Sequence, residues 1–216
     1  MYYEHGKKII TEGKTFDLLT GEALYLPSHL TGKLRGNPLW ERGYGCNYPI
    51  VSEHLVTFRA GAAGFYDLAN DGGMGHFGGF KSGCTSNLIA ADGVLNAPDY
   101  TRTCTCSYQN QTSLALVHMP EVEIWTYNTI ELDDAPIERV GINFGAPGDR
   151  LADDGTLWLE YPRVGGPSPE IPVSITPEKP KWFRHHSSHI DGVGLKWVTA
   201  SGVEELGSIA LTLAED

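Results

Sequence analysis

The run WFRHHSSHID holds the densest set of ligand-type side chains in the sequence: His185, His186, His189 and Asp191. On an extended strand His185 and His189 share a face, because their separation is even, and His186 points the other way. Side chains of this kind could hold Zn²⁺ with one position open, where a bound water ionises near neutral pH and attacks an ester. His185 and His189 would then be catalytic. The spacing matches no established zinc motif, and a solvated strand end with one inward histidine accounts for the same residues.

A second set lies in DLANDGGMGHFGGF, with Asp67, Asn70, Asp71 and His76. Carboxylates and amides interleaved with backbone carbonyls can bind Ca²⁺, and the surrounding glycines let the backbone approach closely. His76 could serve there as an acid or base. The closing Glu of an EF-hand loop is missing, so a tight inter-strand loop explains the run equally. A third acidic set, Asp149, Asp153 and Asp154 in GAPGDRLADDGT, contains an Asp-Gly turn signal, and acidic turns are commonly just solvated.

Nucleophile motifs are absent: GPSPE lacks the second glycine of a nucleophile elbow, and no phosphate loop or dinucleotide glycine pattern occurs. The cysteines are Cys46, Cys84, Cys104 and Cys106, an even number within one stretch rich in Gly, Asn and Thr. They read as two cross-links formed in an oxidising compartment. Cys104 and Cys106 lie too close along a strand to bridge each other, so Cys84 is expected to pair with one of them and Cys46 with the other.

Short strands must position these groups. No stretch shows convincing apolar spacing at helical period, whereas alternating or β-branched runs recur between Gly, Asn and Asp corners. KKIITEG and KTFDLLTGE form one pair, HLVTFRAG and AGFYDLAND another, and Asp92-Gly93 marks a hairpin between two apolar runs. Beyond Pro120 the strands lengthen and prolines increase, and GLKWVTASGVEELGSIALTLAED ends the chain in an alternating pattern typical of a strand with one wet face. The predicted division is residues 1–120 and 121–216.

Composition agrees with many short strands and turns. The 216 residues are 41% hydrophobic and 20% charged, with Gly 26 and Pro 13 scattered throughout. A net charge of −11 disfavours nucleic acid and anionic membrane as partners, and a cation or basic ligand suits it better. No apolar run is long enough to span a bilayer. The N-terminal residues do not read as a signal peptide, which conflicts with disulfides: either the cysteines stay reduced or, as expected, the chain is a piece of a longer exported protein, periplasmic or extracellular.

The pattern IITEGKTFDLLTGEAL, with its D-x-x-T-G-E turn, resembles the repeat of PQQ-like, quinoprotein-type β-propellers. The block from CNYPIVSEHL through GGFKSGCTSNLIAADGVLNAPDYTRTCTCSYQNQTSLAL resembles the cysteine-bearing last blades of exported propellers of the planctomycete type, over roughly residues 8–118. NFGAPGDR and DGTLWLEYP resemble malectin-like, galactose-binding-type sandwiches. The resemblance implies an all-β chain: partial β-propeller blades with disulfides, then a C-terminal antiparallel β-sandwich.

A propeller closes with about four to eight blades, more than this region supplies, so PQQ binding is not expected. Open blade edges imply homo-oligomer formation. In sandwiches of the resembling type, end loops bind sugars through acidic groups and aromatic faces, which points to Asp149, Trp158, Tyr161 and Trp182, although tryptophans are also ordinary core residues. The function implied is an exported binding or scaffold module for a glycan or small molecule. The alternative is a metal-assisted hydrolase of phosphate, sulfate or carboxylic esters, using Zn²⁺ or Ca²⁺.

Overall fold

The computed structural model describes residues 2–4, 7–11, 13–36, 40, 42–80, 87–98, 113–119, 122–132 and 134–212. Among them the chain is all-β, with only a 3-10 turn at Ser187–His189 and a four-residue helix, α1, at Lys196–Thr199. It divides into two compact units, Met1–Leu26 with Leu34–Pro120, and Pro27–Lys33 with Glu121–Asp216. The turn at Pro27–Lys33 joins the second unit for a physical reason. Leu30 is 0% exposed, and its carbonyl accepts the N–H groups of Glu138 at 2.8 Å and Arg139 at 3.3 Å.

The first unit contains three antiparallel sheets. Strands β1 (Tyr2–Glu4), β2 (Lys8–Thr11), β3 (Lys14–Asp17), β4 (Ala23–Pro27) and β5 (Leu34–Gly36) lie in chain order. So do β6 (Ile50–Val51), β7 (Leu55–Ala60), β8 (Ala62–Asp67) and β9 (Met74–His76). A third sheet joins β10 (Ile89–Ala91), β11 (Val94–Ala97) and β12 (Leu114–Val117). Strands β7 and β8 are buried on both faces, and β7 takes the polar Thr57 and Arg59 into the interior with it. Ala63 packs with Leu88, Leu95 and Ala97, and Thr57 donates its hydroxyl to the Leu88 carbonyl at 2.9 Å. The Asp92-Gly93 signal is realised between β10 and β11: both residues have positive φ, 50° and 76°, the requirement of a type I′ turn.

One turn occurs twice in this unit, and only its first copy stands out in the sequence. After β3, Asp17 Oδ1 accepts the N–H of Thr20 at 2.8 Å, and Leu18 N–H reaches the Lys7 carbonyl at 2.8 Å. After β8, Asp67 Oδ1 accepts the N–H of Asn70 at 3.1 Å, and Leu68 N–H reaches the His54 carbonyl at 2.9 Å. An aspartate holding its own turn in this way pre-forms the corner between two strands.

In the second unit β13 (Gly141–Phe144), β14 (Arg150–Leu151) and β15 (Leu157–Tyr161) form a sheet with β15 in the centre, parallel to β13 and antiparallel to β14. Two antiparallel pairs complete it: β17 (Lys181–Arg184) with β18 (Ser201–Glu204), and β16 (Val173–Thr176) with β19 (Ser208–Leu211). The terminal segment expected as one strand is instead α1 followed by two strands, broken at Glu205, whose φ is 57°. A left-handed residue cannot continue a ladder, so the chain turns to a different partner. Leu157, Leu159, Ala152, Ile171 and Trp197 form the core. Two glycines make room for rings on paired strands. A Cβ on Gly141 would stand 2.2 Å from Trp158, and one on Gly202 would stand 2.8 Å from Phe183.

Candidate functional site

The histidine run does not form a metal centre. Strand β17 stops at Arg184, and the chain then enters the Ser187–His189 turn, so the even-spacing rule of a strand no longer applies. His186 caps that turn: its Nδ1 accepts the Ser188 N–H at 3.2 Å and lies 2.8 Å from the Ser188 hydroxyl. His185 is exposed, its ring 5.9 Å from that of Phe183, and His189 and Asp191 are exposed as well. Among the described residues no three His, Cys, Asp or Glu side chains converge in a way that could hold a metal ion.

The glycine-rich loop is likewise committed to structure. Asp67 caps its turn and also accepts from Asn70 Nδ2 at 3.0 Å. Asp71, 7% exposed, takes hydrogen bonds from the Tyr66 hydroxyl and the Arg35 guanidinium. Each of its two oxygens thus serves a structural partner. His76 ends β9 at the surface. Cys46 carries an exposed, free thiol beside Arg59 Nη1 at 3.5 Å, so the bridge expected of it is not formed. Cys84, Cys104 and Cys106 lie outside the described residues.

Asp149 is no exposed sugar contact. It is 0% exposed and joins three segments far apart in sequence. Its Oδ2 accepts Asn128 Nδ2 at 3.0 Å and the Ser168 hydroxyl at 2.6 Å, and its Oδ1 accepts the Glu160 N–H at 3.1 Å. Its backbone bridges Thr126 in both directions. Burial pushes the carboxyl above its usual range, and these hydrogen bonds oppose the shift. Asp153 and Asp154 are exposed turn residues, and Asp154 accepts the Thr156 N–H at 2.9 Å.

Beside this hub lies a cavity of about 100 Å³ lined by Ile142, Glu160, Tyr161, Arg163, Glu170 and Ile171 among others. Such a space holds several waters, or one polar group of a larger ligand, since sites enclosing whole drug-sized ligands span about 300–1,000 Å³. Glu160 is 7% exposed. The Val164 N–H hydrogen bonds to its carboxylate, yet Oε2 has no partner. Burial raises this carboxyl above its usual range, the Asp149 charge adds to the rise, and the Val164 hydrogen bond and Arg163 counter it. Arg163 does not close on Glu160: its Nη1 donates to the Ser168 carbonyl at 3.3 Å, and its Nη2 lies 3.9 Å from Glu170 Oε2.

Tyr161 belongs both to the cavity wall and to a ring cluster. Its centroid is 5.5 Å from Phe144 and 6.1 Å from Trp182, and its hydroxyl donates to the Val173 carbonyl at 3.1 Å. Trp182 is half-buried and nearly parallel to Phe144, at 6.4 Å. Trp158 instead packs edge-on against Trp197 at 5.8 Å, while Arg150 covers the Trp197 ring at 5.0 Å. Of the four residues expected at a ligand, Tyr161 lines the cavity, Trp182 adjoins Tyr161, and Trp158 and Asp149 serve the core. Glu160, Arg163 and Glu170 were not anticipated. The signal for Glu160 was a carboxylate inside the otherwise apolar strand LWLEY. Comparison with protein-family models, with curated proteins and with solved structures gives no match for this chain.

Proposed function

We propose that the second unit is a carbohydrate-binding module and that the first is a scaffold of propeller-type blades from an exported protein. The observation that carries the binding reading is the cavity beside β15, whose wall includes both Glu160, with a buried carboxylate oxygen lacking a partner, and Tyr161. Sugars offer hydroxyl donors together with an apolar ring face, and Tyr161 with the neighbouring Trp182 offers a surface of matching character. The sequences NFGAPGDR and DGTLWLEYP, which resemble malectin-like sandwiches, contribute the strands that bear Phe144 and Tyr161.

For the first unit, support comes from the repeated aspartate turn at Asp17 and Asp67 and from the chain-order sheets whose successive strands it joins. The test is a saccharide array followed by calorimetry on the full chain. A hit should be lost in Tyr161→Ala and weakened in Trp182→Ala, with each variant shown to be folded by its melting curve. Absence of binding to any saccharide at millimolar concentration refutes the reading. Turnover of a chromogenic phosphate, sulfate or carboxylic ester by the same preparation overturns the assignment as a binder alone.

A further inference from the structure

We propose that the cavity selects a ligand bearing a protonated primary amine, such as an amino sugar with a free 2-amino group, and that Glu160 Oε2 receives it. This rests on the carbohydrate reading and narrows it. The argument is a donor count around one buried group. Glu160 Oε2 has no hydrogen-bond partner, while the Val164 N–H is already bound to the same carboxylate. The one cationic side chain in the wall, Arg163, is directed to the Ser168 carbonyl and towards Glu170. The wall thus supplies an acceptor and withholds the donor.

A buried carboxylate oxygen left unpaired is costly, so a ligand that supplies the donor gains more than one meeting a satisfied surface. A neutral hydroxyl can do this weakly. An ammonium does it through a charge-assisted hydrogen bond, about twice as strong as a neutral one, and brings three donors. Two carboxylates against one guanidinium leave the wall net negative, and the chain as a whole carries −11, so approach of a cation is favoured. A bare metal ion fits less well, because no third His, Cys, Asp or Glu among the described residues joins these groups. The volume of about 100 Å³ accepts an amino-bearing edge of a ring, and an N-acetyl group would both fill it and remove the charge.

The experiment is isothermal calorimetry on the full chain at neutral pH with glucosamine, glucose, N-acetylglucosamine and ethanolamine, repeated on Glu160→Gln. Glucosamine should bind about tenfold or more tightly than glucose and N-acetylglucosamine. In Glu160→Gln that preference for glucosamine over glucose should vanish. Equal affinity of the wild-type chain for glucosamine and glucose leaves the sugar site standing and overturns the amine assignment. Ethanolamine binding that disappears in Glu160→Gln, with no saccharide bound, supports the amine site and refutes the carbohydrate reading. No response to any of the four refutes both. The wild-type comparison needs no variant, so a folding defect in Glu160→Gln leaves the test intact.

Discussion

Replacing Asp149 with alanine should destabilise the second unit severely, and the size of the loss follows from what the side chain holds. The change strands three buried donors: Asn128 Nδ2, the Ser168 hydroxyl and the Glu160 N–H. Each orphaned donor costs about 1–3 kcal/mol, and losing a carboxylate whose burial opposes ionisation returns part of that. The net expectation is a loss of about 3–5 kcal/mol, a large share of the roughly 5–15 kcal/mol typical of a domain. Asp149→Asn keeps the shape and one acceptor oxygen. Ser168 can turn its hydroxyl to accept from the new amide, which leaves chiefly Asn128 facing a donor and predicts about 1–2 kcal/mol. Urea unfolding followed by tryptophan emission suits the question, because Trp125, Trp158, Trp182 and Trp197 all lie in this unit and only Trp40 lies in the other. A loss below about 1 kcal/mol for the alanine variant would refute the hub. Equal losses for both variants would show that charge, not hydrogen bonding, dominates.

Gly141→Ala places a methyl 2.2 Å from the Trp158 indole on the paired strand, and should cost about 1–3 kcal/mol and shift tryptophan emission. An unchanged spectrum and midpoint would mean the strands separate at no cost. Gly93→Ala forces a side chain onto a φ of 76° and should cost about 1 kcal/mol in the first unit while leaving the tryptophan emission of the second unchanged. Burial holds Asp149 and Glu160 above their usual range, so the folded chain keeps these protons more tightly than the unfolded one. Stability therefore falls as pH rises from the unfolded values through the folded ones. Glu160→Gln removes one contribution, and its urea midpoint should gain on wild type as the pH rises above the ordinary carboxylate range. A pH-independent difference between the two would contradict this.

How much was legible depended on how local the determinant was. The Asp92-Gly93 hairpin could be read directly, because its two left-handed residues are chosen within the turn itself. Tyr161 and Trp182 stood in the sequence only together with Asp149 and Trp158, and their neighbourhood beside Phe144 comes from strands β13, β15 and β17, whose pairing no local pattern announces. The histidine run misled, because the end of β17 at Arg184 depends on pairing with β18, and the strand rule lapses beyond it. Asp149 looked like a solvated turn. Its burial is set by Asn128 and Ser168, 21 and 19 residues away, and no local pattern announces partners at that distance. The Asp71 carboxylate misled in the same way, because its partner Arg35 is 36 residues distant.

The paired corners at Asp17 and Asp67 stand fifty residues apart and present the same bonds to the strands on either side. The same corner is thus written in runs as different as DLLTGE and DLANDG, so what the position demands is chiefly the aspartate, and most of the residues after it are free to vary.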